Sequence, residues 1–186
     1  MNDNEMLETI AAGDEKAMQR FFMQYANDVY RFLMGRCGDS TLASDILNAV
    51  MLDVWRQADR FQGRSKVTTW LMGIARHKLI DHYRREQRHQ HEALDVTMSI
   101  DPAPVSEQLV AAAQHADWVK HCIERLGGLQ RDIVHLAFYQ DMAYPEIAEI
   151  VECPVGTVKS RMFHAREALR RCLEKLGGEE VAHVFR

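Results

Sequence analysis

Apolar residues recur every three or four positions along most of this chain, the spacing of helices that bury one face. Ala17, Phe21, Tyr25, Val29 and Phe32 predict a first long helix, with Asp14 as its N-cap and the glycine-bearing stretch 35–40 as its end. Leu42, Ile46, Val50 and Val54 follow at strict fourfold spacing, so a second helix starts at Thr41 or Ser44 and runs to the irregular segment RFQGRSKV, residues 60–67. Thr68 or Thr69 opens a third, reaching about Arg88, with Trp70, Ile74 and Ile80 as core residues in the plainer of its two readings. Residues 92–108 then carry two prolines, no Lys or Arg and little periodicity, which reads as a linker. Helical spacing resumes near Glu107, and Gly127-Gly128 marks a turn between the next two helices. No stretch alternates long enough to predict a strand. The expected fold is all-α: two small helical domains joined by a flexible acidic linker, with the first domain at 1–90, the linker at 91–110, the second domain at 111–178 and a tail at 179–186.

The pattern sharpens at YPEIAEIVECPVGTVKSRMFHAREALRR, residues 144–171. Ile147, Ala148 and Val151 share one side of a short helix, Glu152-Cys153-Pro154 breaks it, and a new helix begins at about Pro154, which lacks the N–H that a first turn leaves unused. Val158, Met162, Ala165 and Leu169 form its buried stripe. Lys159, Ser160, Phe163, His164, Arg166, Arg170 and Arg171 are left for other faces. Two helices across a tight turn, the second one basic, form a helix-turn-helix able to lie in a major groove. The plainer alternative is the solvated cationic face of an ordinary bundle.

Charge supports the first reading. The net charge of -4 is distributed in blocks: -5 over residues 1–53, +6 over 56–91, -5 over 92–118, -3 over 119–155 and +3 over 156–186. Two basic blocks set between acidic ones suit a protein that touches DNA at two places and a protein partner elsewhere. The hydrophobic fraction of 47% is ordinary for a folded protein. No apolar run reaches the ~18 residues of a membrane span, and the acidic, mixed start is unlike a signal peptide, so cytoplasmic residence without stable membrane insertion is expected.

The first basic block interleaves Arg64, Lys66, Arg76, Lys78, Arg84 and Arg85 with Phe61, Trp70, His77, His82 and Tyr83. Cations that follow phosphates, beside rings or a pocket that can receive an unstacked base, are what an unpaired strand requires. For Trp70 the alternative is a core position, and for Arg84 and Arg85 a solvated helix end. No Walker-type loop, HExxH or Ser-His-Asp order stands out, so no catalytic residue is assigned. His82, His89 and His91, or His121 beside Cys122, fit no standard metal spacing, and neither metal nor cofactor is expected. The four cysteines, Cys37, Cys122, Cys153 and Cys172, contain no CxxC and are read as reduced, mostly buried thiols.

The segment EIAEIVECPVGTVKSRMFHAREAL closely resembles region 4 of bacterial extracytoplasmic-function (ECF) sigma factors, and residues 45–86, from DILNAVMLDVWRQ to DHYRRE, resemble region 2. The resemblance implies a non-enzymatic, dissociable subunit of RNA polymerase that reads a -35 promoter element with its second domain and melts a -10 element with its first. Carried over by position, Thr157, Lys159, Ser160, Phe163, His164 and Arg166 would face the -35 element. Phe61, Gln62, Gly63, Arg64, Ser65 and Lys66, with Trp70, Arg76, Lys78, Arg84 and Arg85, would serve the -10 element, the loop 61–67 accepting a flipped base. Asp45, Asn48, Met51 and Leu52 would meet the β′ clamp helices of core RNA polymerase, the β flap being a further contact of the complex. Promoter DNA and an anti-sigma factor complete the implied partners. Two positions depart from the family pattern: Asn48-Ala49 stands where Gln-Glu is usual, removing a carboxylate, and His164 where Arg is frequent, reducing the donors offered. The other readings of the residues are a free-standing helix-turn-helix regulator with a dimerising amino-terminal domain and a metal- or redox-sensing protein built on the Cys/His content.

Overall fold

The computed structural model describes residues 2–89 and 107–176, and among them all regular structure is helical. The predicted linker lies largely, and the tail wholly, outside the described residues. The first half holds α1 (Asp3–Ala11), α2 (Glu15–Cys37), α3 (Ser40–Gln57) and α4 (Val67–His89), with a short 3-10 turn at Ala58–Arg60. The second holds α5 (Glu107–Glu124), α6 (Gly128–Phe138), α7 (Tyr144–Val151) and α8 (Val155–Lys175).

Caps account for most boundaries. The Asp14 carboxylate accepts from the N–H groups of Lys16 and Ala17 at 2.8 and 3.0 Å, as expected of that residue, and α2 continues through Gly35 to end at Gly38 in the left-handed region. Asp39, rather than Thr41 or Ser44, caps α3. Helix α1 is absent from the hydrophobic reading, although Asn2 and Glu5 form a reciprocal capping box and Met6, Leu7 and Ile10 are buried.

In the first half, α2 packs on α3 and both meet α4, enclosing Phe21, Val29, Phe32, Leu33, Val50, Val54 and Leu71. In the second, α8 packs on α5, α6 and α7 through Val158, Met162, Ala165, Leu169 and Leu173. The four stripe residues expected there are all buried.

The cysteine expectation is corrected. Cys122 on α5 and Cys172 on α8 form a disulfide across 50 residues of sequence, while Cys37 and Cys153 are free. Spacing offers no hint of the pair, because only the packing of α5 on α8 brings their Cα atoms to 5.8 Å.

The two halves also pack against each other, α7 on α4 and α6 on α2. His135 of α6 enters a gap above Gly35 of α2, where an added Cβ would come within 2.5 Å of its ring.

Candidate nucleic-acid interface

Pro145 lies in the first turn of α7, and Glu146 accepts the Ala143 N–H at 2.9 Å through Oε2. The helix closes on Glu152 in the left-handed region at φ 54°, and the chain re-enters helix after Pro154. That tight reversal packs α7 across α8, leaving the opposite face of α8 outward. Lys159, Ser160, Phe163 and His164 are exposed there, Phe163 at 63%, while Thr157 and Arg166 are half-buried at its margins. At about 3.6 residues per turn, Lys159 and Arg166 return to nearly the same line, with Phe163 beside them. Of the sequence-predicted -35 set, Lys159, Ser160, Phe163 and His164 thus share the exposed side of α8. Arg170 and Arg171, part of the same basic run, are instead occupied along the helix: Arg170 pairs with Glu167 and Glu174 at 3.1 and 2.7 Å, and Arg171 with Glu167 at 3.7 Å.

The loop before α4 is shaped by Gly63, whose φ of +64° is a conformation that side-chain-bearing residues resist. Gln62, Gly63, Arg64 and Lys66 are exposed, and Phe61 and Ser65 half-buried. Beneath the loop lies a recess of about 440 Å³ lined by Phe61, Gln62 and Gly63 together with Asn4, Leu7 and Glu8 of α1. Asn4 and Glu8 escaped the sequence reading because α1 did; the Asn2–Glu5 cap was the available signal. Trp70 packs on the core and meets Phe61 at a ring distance of 5.2 Å, so it supports the loop as well as the interior.

The remaining cations of the first basic block are largely engaged. Lys78 pairs with Asp53 of α3 at 2.7 Å, and Lys66 with Glu146 of α7 at 2.8 Å. This hydrogen-bonded pairing raises the Lys66 pKa and lowers that of Glu146. His77 approaches Glu152 at 3.3 Å. Arg76 donates from Nε to Oδ2 of Asp132 on α6 at 2.8 Å, and Arg36 of α2 pairs with the other oxygen of the same buried carboxylate. Arg84 and Arg85 stand at the exposed end of α4 and turn back to Asp81, matching the solvated-end alternative in placement.

On α3, Asp45, Asn48 and Leu52 are exposed, and Trp55, at 37%, extends their face by three residues. Met51 corrects the expected polymerase set. It is buried at 4%, because α3 is packed by α1, α2 and α4, and its inner face is wide enough to take Leu47 and Met51 beside Val50 and Val54. Trp55 follows Leu52 by one helical turn and was recognisable by that spacing.

Family models for Sigma-70 region 2 and Sigma-70 region 4 match residues 21–89 and 116–169. The chain is 32% identical to the ECF RNA polymerase sigma factor RpoE of Cereibacter sphaeroides over 159 residues, covering 85% of this chain and 87% of that one. It is 29% identical to the ECF RNA polymerase sigma factor SigK of Mycobacterium tuberculosis over 172 residues, covering 91% and 92%. Two solved structures share the fold: the sigma factor RpoE in complex with the anti-sigma factor NepR from Bartonella quintana, with TM-score 0.69, 22% identity and coverage of 86% and 98%, and CnrH in complex with the cytosolic domain of CnrY, with TM-score 0.70, 19% identity and coverage of 93% and 97%.

Proposed function

The chain belongs to the ECF RNA polymerase sigma factors, and from that membership we propose how its surfaces divide the work of promoter-specific initiation. The observation that carries the division is the uncovered face of α8, with Lys159, Ser160, Phe163 and His164 presented to solvent by a helix-turn-helix. A side chain there can reach base edges in the -35 major groove, and its neighbours can reach phosphates. In the first domain the loop 61–67 and the recess under it receive a base extruded from the -10 element, Asn4 and Glu8 adding polar groups to its wall. Asp45, Asn48, Leu52 and Trp55 form the face that docks on core polymerase, the two apolar side chains providing the contact area. RNA synthesis itself is the polymerase's chemistry. Among the described residues no helix is long and apolar enough to cross a membrane. Work on RNA polymerase and promoter DNA places its action in the cytoplasm, and an anti-sigma factor is the expected inhibitor, in parallel with the partner named for the Bartonella quintana protein.

Run-off transcription with core polymerase on genomic fragments tests the reading. A transcript starting at a defined site only when this protein is added is expected; no dependent transcript from any fragment overturns it. Strand opening is then separable from -35 binding. Gln62→Ala with Arg64→Ala should preserve closed-complex formation but fail on duplex promoter, and recover on a template mismatched across the -10 region. Equal defects on both templates, with normal polymerase affinity, would remove the loop from the melting step.

A further inference from the structure

We propose that the second domain docks over Lys66, Arg76 and His77, at and just before the first half of α4, as an intramolecular mask, with Asp132 as the latch that holds it there. The masking role rests on the -10 assignment above; the latch does not. Asp132 is 3% exposed, and each of its oxygens is taken by an arginine from a different helix of the first domain, Arg36 from α2 and Arg76 from α4. A carboxylate and two guanidinium groups are tolerated away from water only when their hydrogen-bonding geometry is well satisfied. This seam is therefore built like an interior. The adjacent fit of His135 over Gly35 adds shape to charge, and Gln140 donates to the Asp28 carbonyl at 3.3 Å along its edge.

Around the latch, carboxylates of α7 and of its C-terminal cap sit on basic groups of the first domain. Glu146 engages Lys66 and Glu152 approaches His77, while Asp132 holds Arg76. A nucleic-acid backbone can replace each of these anions, so opening in its presence exchanges one set of ion pairs for another. The α3 face with Asn48, Leu52 and Trp55, and the outer face of α8 with Phe163, remain exposed in the same arrangement. Polymerase can dock before the domains part.

Distance requires that they part. Elements named for -10 and -35 have centres about 25 base pairs apart, roughly 85 Å of duplex at about 3.4 Å per pair. A compact chain of this length has a radius of gyration of about 16 Å and is roughly 40 Å across. The closed arrangement cannot reach both elements at once.

Small-angle X-ray scattering of the full chain, with helicity checked by circular dichroism, reads the latch without DNA. Asp132→Asn should raise the radius of gyration by about a third or more over the wild-type protein, with helicity retained. Its affinity for a single-stranded oligonucleotide carrying the non-template -10 sequence found by run-off mapping should rise by about tenfold at 50 mM salt. A second variant, Glu146→Gln with Glu152→Gln, changes exposed or rim carboxylates and keeps an oxygen for the Ala143 cap. It should raise oligonucleotide affinity about threefold with helicity unchanged. An unchanged radius in a folded Asp132→Asn protein overturns the latch. Should that variant lose helicity, an unchanged affinity in the glutamine pair overturns the mask. Expansion without any gain in affinity keeps the latch and overturns the masking role, whereas failure of run-off transcription with the expansion intact overturns the functional reading alone.

Discussion

On α8 Lys159, Ser160, Phe163 and His164 stand clear of the rest of the molecule, whereas Lys66, just before α4, and Arg76, on it, are already held by carboxylates of the other domain. The basic runs look alike in composition. Their availability differs because α8 uses one stripe to pack within its own domain and leaves the reverse side unused, while α4 is covered by α7. Counting positive residues thus locates basic runs but does not say which of them is open in the free protein. Arg170 makes the same point within α8, where Glu167 and Glu174 occupy it locally.

The domains also differ in what secures them, since the second is cross-linked and the first is held by packing. Replacing both Cys122 and Cys172 by Ala should lower the stability of the second domain by about 4 kcal/mol, the chain-entropy value for a loop of this length. Urea denaturation followed by signals from each domain should show the second transition moving and the first staying; movement of both would mean that the domains unfold as one unit.

Acid probes the seam. Burial, reinforced by the charges of Arg36 and Arg131 and opposed by Asp132, pushes the His135 pKa from its ordinary 6.5 down to about 4. Between those values the unfolded chain binds a proton that the native chain refuses, so the stability contributed by neutral His135 is complete above pH 6.5 and is lost as pH falls towards 4. About 3 kcal/mol is at stake by this shift. Denaturation midpoints measured from pH 7.5 to 4.5 should fall more steeply for the wild-type protein than for His135→Gln; parallel curves would remove the histidine as the cause.

A smaller effect is expected from Gly35→Ala, whose new Cβ would meet the His135 ring at 2.5 Å. Displacing that ring should cost about 1–3 kcal/mol and loosen the seam without touching a charge. Thermal melting with scattering would show it, and an unshifted melt would mean that the ring moves aside freely. On the open face, Lys159→Ala and His164→Arg should change preference at single -35 positions by about 1–3 kcal/mol or less. Selection from a randomised -35 library checks this. Arg170→Ala, removed from DNA by its pairs, should select the same sequence as wild type, and a shift would return that arginine to the reading face.

Features governed by neighbours in sequence were legible. Periodicity alone identifies the stripe Val158, Met162, Ala165 and Leu169, and a single carboxylate at Asp14 identifies the start of α2. Met51 escaped because a fourfold pattern describes a narrow stripe, while three surrounding helices bury a broad one. Asp132 resembles any acidic residue on a helix until Arg36, 96 residues away, and Arg76, 56 away, are brought to it. The Cys122–Cys172 pair is hidden for the same reason. The exposed face of α8 was therefore visible in advance, and the ion pairs that join the two halves were not.

Glu146 divides its duties between two atoms. Oε2 caps the start of α7 through the Ala143 N–H, and Oε1 holds Lys66 across the seam. Losing the second contact leaves the first in place, so α7 keeps its opening turn when it departs from α4. Domain separation is then a rigid-body displacement that melts no helix, and its natural clock is the microsecond-to-millisecond range of hinge motion rather than the slower one of local refolding.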